Sequence, residues 1–401
     1  MKNVVLKNRA VAAACKRVFS IANSVRSRRE KLSTHVLNQY IVRELLLYFG
    51  ILFLFFFTIF FVNQILLVAE RILRQGAPVW DVVRLMTYSL PFIIAQSAPF
   101  ATLVGFLMCL GRFMSDNEII IFRASGFSYM HILKPVLLLG VVISGVSFFV
   151  NDYLLPLGTI KYNNLYREIL SSNPAVELEA HSIKRLNDAT LVIGDVEKNL
   201  VSDLVLIDQG DSNHMRFIVA GASELISARR EGVLMQMNMT DALVLILDKN
   251  NSTNYDVLES EKVTLNIFES SFFGGGTGVS PREMTAYDLG KAVRQMRRNA
   301  NTDEYTLNIY TLEYNKKFSL PFGSFFFALL ALPLALMFGR QNGQTIGMIV
   351  GIIISFFYWA MMILGQYASS RNGFNGFWSM WIPNFVIGGA GILFYFGLKK
   401  Q

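Results

Sequence analysis

Six long apolar runs limit what this chain can fold into more than any other feature. They are Leu45–Ala69, Leu85–Gly111, Pro135–Asn151, Phe318–Gly339, Gln341–Ser370 and Asn372–Leu398. Crossing a hydrocarbon core of roughly 30 Å as a helix takes about 20 apolar residues. Pro135–Asn151 is the shortest run, and it extends through the following "DYLLPLG". Lipid offers the backbone no hydrogen-bond partner, so each run is predicted to be a membrane-spanning α-helix. A gap of about 150 residues separates the third run from the fourth. The layout is three spans, an inserted domain, then three spans.

Charge supports this division. Only 16% of the residues are charged, against about 25% in ordinary soluble domains. Residues 151–305 hold 15 Lys and Arg against 22 Asp and Glu, whereas the remainder holds 22 against 7. The basic excess therefore belongs to the membrane part and points to anionic headgroups, not nucleic acid. With the N-terminus in the cytoplasm, the inner flanks carry 16 Lys and Arg and the outer flanks 6. That asymmetry predicts both termini inside and the acidic insertion outside.

Two cysteines, Cys15 and Cys109, make neither a disulfide framework nor a metal spacing. "VAAAC" at 11–15 resembles a lipoprotein cleavage site, but Lys7 and Arg9 interrupt the apolar stretch such a signal needs. The N-terminal segment reads instead as a basic amphipathic helix on the inner leaflet.

The insertion reads as β structure over 161–280. "LMQMNMT" at 234–240 alternates apolar and polar side chains, and "VTLNIFE" at 263–269 does so with one exception at Phe268. "LVLIL" at 243–247 is apolar throughout, which predicts cover on both faces. Turn signals such as "DQGDSN" and "DKNNSTN" separate the strands. A sandwich, jelly roll or open barrel fits this spacing. "FFGGGTGVSP" follows as a linker, and then a helix that Thr285 can cap, with Leu289, Val293 and Met296 on one face. The predicted division is 1–38, a basic cytoplasmic extension; 39–160, spans one to three with a short helix at 112–130; 161–280, the β domain; 281–312, linker and helix; and 313–401, spans four to six.

Catalytic signatures are missing from the sequence. "LGKA" at 289–292 lacks the rest of a phosphate loop, no GxSxG occurs, and the four histidines are scattered. The apolar runs contain Asn63, Gln64 and Gln96 but no acid or base. Any energy consumed must come from another subunit, and this chain is expected to bind no cofactor.

"DNEIIIFRASGFS" at 116–128 stands apart from the apolar runs around it. Ile119–Phe122 form an apolar plug flanked by charge, with Glu118, Ile121 and Phe122 on one side of a helix. Ser125-Gly126 can end that helix. Amphipathic pattern alone fits a helix lying on lipid as well as one docking on a partner. At the outer end of span one, Arg71 and Arg74 are three apart on one face. Arginine forks of this kind suit phosphate oxygens, and they also serve as interfacial anchors. Lys316 and Lys317 flank the fourth span and carry the same two readings. Pro91, Pro99 and Pro383 can kink their helices, and Asn384 can satisfy a carbonyl freed by Pro383. Trp378 and Trp381 read as interfacial anchors.

The chain resembles the LptF/LptG permease family over about residues 38–400. "YIVRE" at 40–44, the Pro91/Pro99 pair, "NEIIIFRASGFS", "SPREMTAYDL", "EYNKKFSLPF" with Pro321, and "WIPN" at 381–384 carry the likeness in order. The resemblance implies a membrane α-helical fold with a periplasmic all-β jelly-roll-like insertion. It implies one permease half of an ABC transporter in the bacterial inner membrane that moves lipopolysaccharide toward the outer membrane. Its expected partners are a paralogous permease, an LptB-like ATPase dimer holding ATP and Mg, and an LptC-like periplasmic jelly-roll protein. It makes 116–128 the coupling helix, with Glu118, Ile121, Phe122, Arg123, Ser125 and Gly126 as its working residues. Gln64, Arg71, Arg74, Lys316 and Lys317 become substrate-binding candidates. Family members often carry basic residues deeper in span one, where this chain has Gln64 and Leu67. An ABC permease for another glycolipid or lipoprotein, or a membrane-anchored scaffold, are the rival readings.

Overall fold

The computed structural model describes residues 35–68, 78–172, 180–185, 189–197, 199–208, 214–227, 233–248, 255–268, 279–299, 304–338 and 341–399. The N-terminal helix expected on the inner leaflet and most of the glycine-rich linker lie outside them, as do the centres of both quoted turn segments. Six helices among the described residues are long and apolar enough to cross a membrane, and each covers most of one apolar run. They are α1 (His35–Val68), α2 (Val79–Ser115), the path Tyr129–Ile169, α7 (Glu304–Phe338), α8 (Gly343–Asn372) and α9 (Gly376–Lys399). The short helix α3 (Glu118–Ala124) joins α2 to the third span. At 37 residues α2 is about 55 Å long, so it continues well beyond a bilayer core.

The third span holds the first difference from the sequence reading. It runs as α4 (Tyr129–Phe149), a π-helical turn at Val150–Leu154, and α5 (Leu155–Ser172). Helix therefore replaces the β structure expected from residue 161. Tyr162, Leu165, Tyr166 and Ile169 share one helical face, with Leu165 and Ile169 buried and the two tyrosine rings stacked.

The chain divides into two compact units. The first comprises the chain up to Thr58, Ile94–Asn151 and Gly290 onward. Here α8 crosses α2 through a row of glycines four apart. Side chains at Gly343 and Gly347 would collide with the backbone at Gly111 and Leu107, and one at Gly351 would crowd Val104. Small residues let helix backbones approach this closely. Helix α9 is tied to α7 by buried polar contacts. Asn384 donates to the Ser319 carbonyl (2.8 Å) and hydroxyl (3.0 Å), and Tyr358 donates to the Asn384 amide oxygen (3.0 Å). Asn384 was expected to serve the carbonyl freed by Pro383. Its amide instead bridges to the neighbouring helix, and the Ser379 carbonyl four residues before Pro383 lies against Gly365.

The second unit comprises Ile59–Ile93 and Asp152–Leu289. Its sheet has seven antiparallel strands among the described residues: β1 (Ser182–Arg185), β2 (Ala189–Ile193), β3 (Val196–Glu197), β4 (Leu200–Asp208), β5 (His214–Ser227), β6 (Val233–Asp248) and β7 (Tyr255–Phe268). The order is β1-β2-β4-β5-β6-β7, with β3 beside β4. This is the all-β insertion expected between the third and fourth spans. Its buried face gathers Leu191, Val201, Leu204, Ile218, Met237 and Met239 with Val82, Leu85, Leu165 and Ile169 of the helices. On β6 the polar partners of the methionines meet β7, where Gln236 donates to Asn266 (2.8 Å) and Asn238 accepts from Thr264 (3.0 Å).

A crease crosses four strands of this sheet. Ser202–Asp203, Gly221–Ala222, Thr240–Asp241 and Glu261–Lys262 each place two successive residues outward. The pairing steps over Asp203, Gly221, Asp241 and Glu261 between matched rows. Asp203 and Asp241 take φ of 52°. Each doubled outward position resets the alternation, so buried residues stay on one face on both sides of the crease. The cover expected on both faces of "LVLIL" is incomplete: Leu243 is 44% exposed, and Val244 to Leu247 are half-buried.

After the β domain, Ser280 and Glu283 form a capping box around a 3-10 turn at Pro281–Glu283. Helix α6 (Ala286–Arg298) follows, and the Thr285 hydroxyl accepts from the Asp288 amide as expected of its cap.

Candidate functional site: the short helix and its anchor

Two left-handed residues bound α3. Asn117 (φ 59°) turns the chain out of α2, and Gly126 (φ 92°) turns it toward α4. The Phe127 amide reaches the Phe122 carbonyl (3.1 Å) and the Gly126 amide that of Arg123 (2.9 Å). These are the two bonds of a Schellman ending, so Gly126 ends the helix as its sequence context predicts. Ser125 also donates its hydroxyl to the Ile121 carbonyl (2.9 Å).

Side chains on α3 divide by direction. Ile119 is buried at 1% exposure and fixes the helix to the bundle, whereas Ile120 and Ile121 stand out at 50% and 58%. Glu118 and Phe122 are half-buried, so Ile121 does not lie as deep as the two residues grouped with it. Arg123 donates to the Tyr129 hydroxyl (2.7 Å) with its guanidinium 4.3 Å from that ring's centroid. Ile120 and Ile121 thus form an exposed apolar pair on a short helix with a left-handed residue at each end.

Glu118 is already engaged inside the chain, which sequence reasoning missed. The Tyr40 hydroxyl donates to Glu118 (3.2 Å). Arg112, in the last turn of α2, donates to Glu44 (2.9 Å) and to the Tyr40 hydroxyl (3.5 Å). Its guanidinium lies 5.7 Å from the Tyr48 ring centroid and 5.3 Å from that of Phe113. Asp116 approaches the same guanidinium at 4.0 Å. The legible signal was Tyr40, Glu44 and Tyr48 at spacing four, one stripe of α1. Nothing in sequence paired that stripe with a residue almost seventy positions away.

Three substrate candidates fall among the described residues, and each has a partner within its own unit. Gln64 is half-buried and donates to Ser89 (3.5 Å). Lys316 pairs with Glu313 (3.5 Å) and donates to Gln366 (3.4 Å). Lys317 is only 4% exposed and donates to the Asn151 carbonyl (3.3 Å), a position inside the protein and not on a lipid-facing rim. Arg71 and Arg74 lie outside the described residues. Each paired proline faces a glycine of a neighbouring helix: a side chain at Gly158 would meet the Pro91 ring, and one at Gly323 would meet Pro99 and the Tyr358 hydroxyl. Pro321 leaves the Lys317 carbonyl without its ladder donor, and Asn151 supplies one (3.0 Å). Among the described residues, no three His, Cys, Asp or Glu side chains converge as metal ligands.

Compared with protein families, residues 39–396 match the lipopolysaccharide export system permease LptF/LptG. The chain belongs to the LptF/LptG permease family. The match spans all six spanning helices and the β insertion together. Comparison with curated proteins found no match. Membership makes this a multi-pass membrane protein of a transport family, at the level of lipopolysaccharide export.

Proposed function

We propose that this chain is one permease half of an ABC transporter that takes lipopolysaccharide from the bacterial inner membrane and passes it toward a periplasmic bridge. Both termini lie in the cytoplasm and the β insertion in the periplasm, in keeping with the basic flanks. A paralogous permease completes the pair. An LptB-like ATPase dimer supplies ATP hydrolysis with its own Mg, and an LptC-like protein receives the lipid.

The observation that supports this most is the build of α3. It is short, hinged at both ends, seated on Ile119, and presents Ile120 and Ile121 outward. On this reading α3 docks in a groove of the ATPase, and apolar burial of the two isoleucines holds it there. Of the six spans, α1 is the least covered by the rest of the chain: its central stretch is 11% buried, against 83% for α2. Such a face fits a helix that meets the paralogous permease and the lipid. Arg71 and Arg74, just beyond α1, are assigned to the lipid phosphates.

Co-expression with the paralogue and the ATPase tests this. Arg71→Ala with Arg74→Ala is expected to lower lipid retention while the ATPase stays bound. Unchanged lipid retention would remove the two arginines from the account.

A further inference from the structure

The anchor of α3 does more than hold it. Resting on the coupling reading above, we propose that Tyr40, Glu44 and Arg112 form a transmission clasp that delivers movement of α3 directly to α1, the first spanning helix.

Three helix ends meet at one hydroxyl. Tyr40 on α1 donates to Glu118 on α3 and accepts from Arg112 on α2. One turn along α1, Glu44 takes the stronger, charge-assisted bond from the same guanidinium (2.9 Å). One turn further, the Tyr48 ring lies beside it. The guanidinium thus grips three successive turns of α1, while the single link from α1 to α3 is Tyr40–Glu118 among these contacts. A tether with this asymmetry passes movement of α3 to α1 through one contact, while Arg112 keeps the end of α1 against the end of α2.

The surroundings suit a lever. Asn117 and Gly126 place left-handed joints at both ends of α3, so the seven-residue helix can shift as one piece. Beyond Tyr48, α1 presses close to α2 at Gly105, where an added side chain would crowd the Phe49 backbone. Leu52 packs there with Ala101 and Val104. This contact fixes a fulcrum. Further along, the central stretch of α1 is little covered by protein, so displacement at its Tyr40 end can swing it. Rigid elements joined by discrete contacts carry such coupling.

Tyr40 and Glu44 are positioning residues on this account, so their loss separates ATP use from transport. The test uses the full complex of this chain, the paralogue and the ATPase in nanodiscs. Tyr40→Phe and Glu44→Gln are compared with the parent for ATPase co-purification, ATP hydrolysis and lipid released per ATP. Spin labels at Val36→Cys and Ala124→Cys report the α1–α3 distance in parallel. The ATPase should still co-purify, the distance distribution should broaden, and lipid released per ATP should fall about fivefold or more. Exchanging the charges, Glu44→Arg with Arg112→Glu, should recover much of the loss caused by either change alone. Lipid per ATP equal to the parent in both Tyr40→Phe and Glu44→Gln would overturn the clasp. So would an exchange variant no better than its single changes. Ile121→Asp marks the other failure: if it leaves ATPase capture intact, the coupling reading falls and the clasp loses its input.

Discussion

Asn151 and Lys317 exchange hydrogen bonds in both directions. The Asn151 amide donates to the Lys317 carbonyl at 3.0 Å, and the Lys317 ammonium donates to the Asn151 carbonyl at 3.3 Å. Each sits at a helical irregularity, Asn151 in the π turn and Lys317 four residues before Pro321. Two defects that would each strand a backbone group in lipid are thereby matched to one another. A buried lysine in a spanning helix is costly unless it is held this way.

Asn151→Leu should therefore destabilise the protein by about 1–2 kcal/mol, because the Lys317 carbonyl loses its donor. Lys317→Met should also destabilise it, with an effect less than additive to the first. Thermal unfolding in detergent checks both, and lipid binding should persist in molecules that remain folded. A Lys317→Met protein of parental stability with weakened lipid binding would return Lys317 to the substrate site.

The glycine row on α8 makes a second prediction. Gly347→Leu places a side chain against the Leu107 backbone, and overpacking of this kind costs about 1–3 kcal/mol. Gly389→Leu on α9, where an added side chain meets nothing within 4 Å, should be close to neutral. Comparing the two by thermal unfolding controls for added bulk in a spanning helix.

At the crease, Asp241→Gly and Asp241→Val should differ in sign. Left-handed backbone costs a residue with a Cβ about 1–2 kcal/mol, and a β-branched residue suffers most. The glycine variant should match or exceed the parent in stability, and the valine variant should fall below it. Equal unfolding midpoints would mean that the left-handed backbone at Asp241 carries no such cost in the crease.

How much of this was legible in the sequence depends on the range of the interaction. Long apolar runs are set by lipid thickness, so all six spans could be read. The helix through Ser172 was readable too: Tyr162, Leu165, Tyr166 and Ile169 show helical spacing, but the charged and polar residues between them resembled a departure from the membrane. The crease left a trace as well. Val201 to Leu204, and Met239 to Ala242, step by three where a plain strand steps by two. The cover predicted for "LVLIL" failed because a run of apolar residues does not say how many layers surround it. Ser125-Gly126 and Thr285 were found because capping is local. Tyr40, Glu44 and Arg112 were not assembled, and Lys317 was placed at a rim, because pairings between distant helices leave no spacing signal.

The exposed pair on α3 gives the prediction closest to the proposed docking surface. Ile121→Asp should lower ATPase capture at least about tenfold, which corresponds to about 1.4 kcal/mol. The fold should survive, since Ile121 is 58% exposed and Ile119 keeps the seat. Quantitative co-purification, normalised to membrane-inserted protein, reads the effect.

The central claim is that this permease carries lipopolysaccharide under the control of an ATPase. Purification of the chain with its paralogue and the ATPase in nanodiscs, followed by mass spectrometry of the bound lipid before and after ATP, tests it most directly. The account predicts lipopolysaccharide bound at stoichiometric level and released on ATP addition. A stable complex holding a different glycolipid, or no ATPase complex at all, would contradict it.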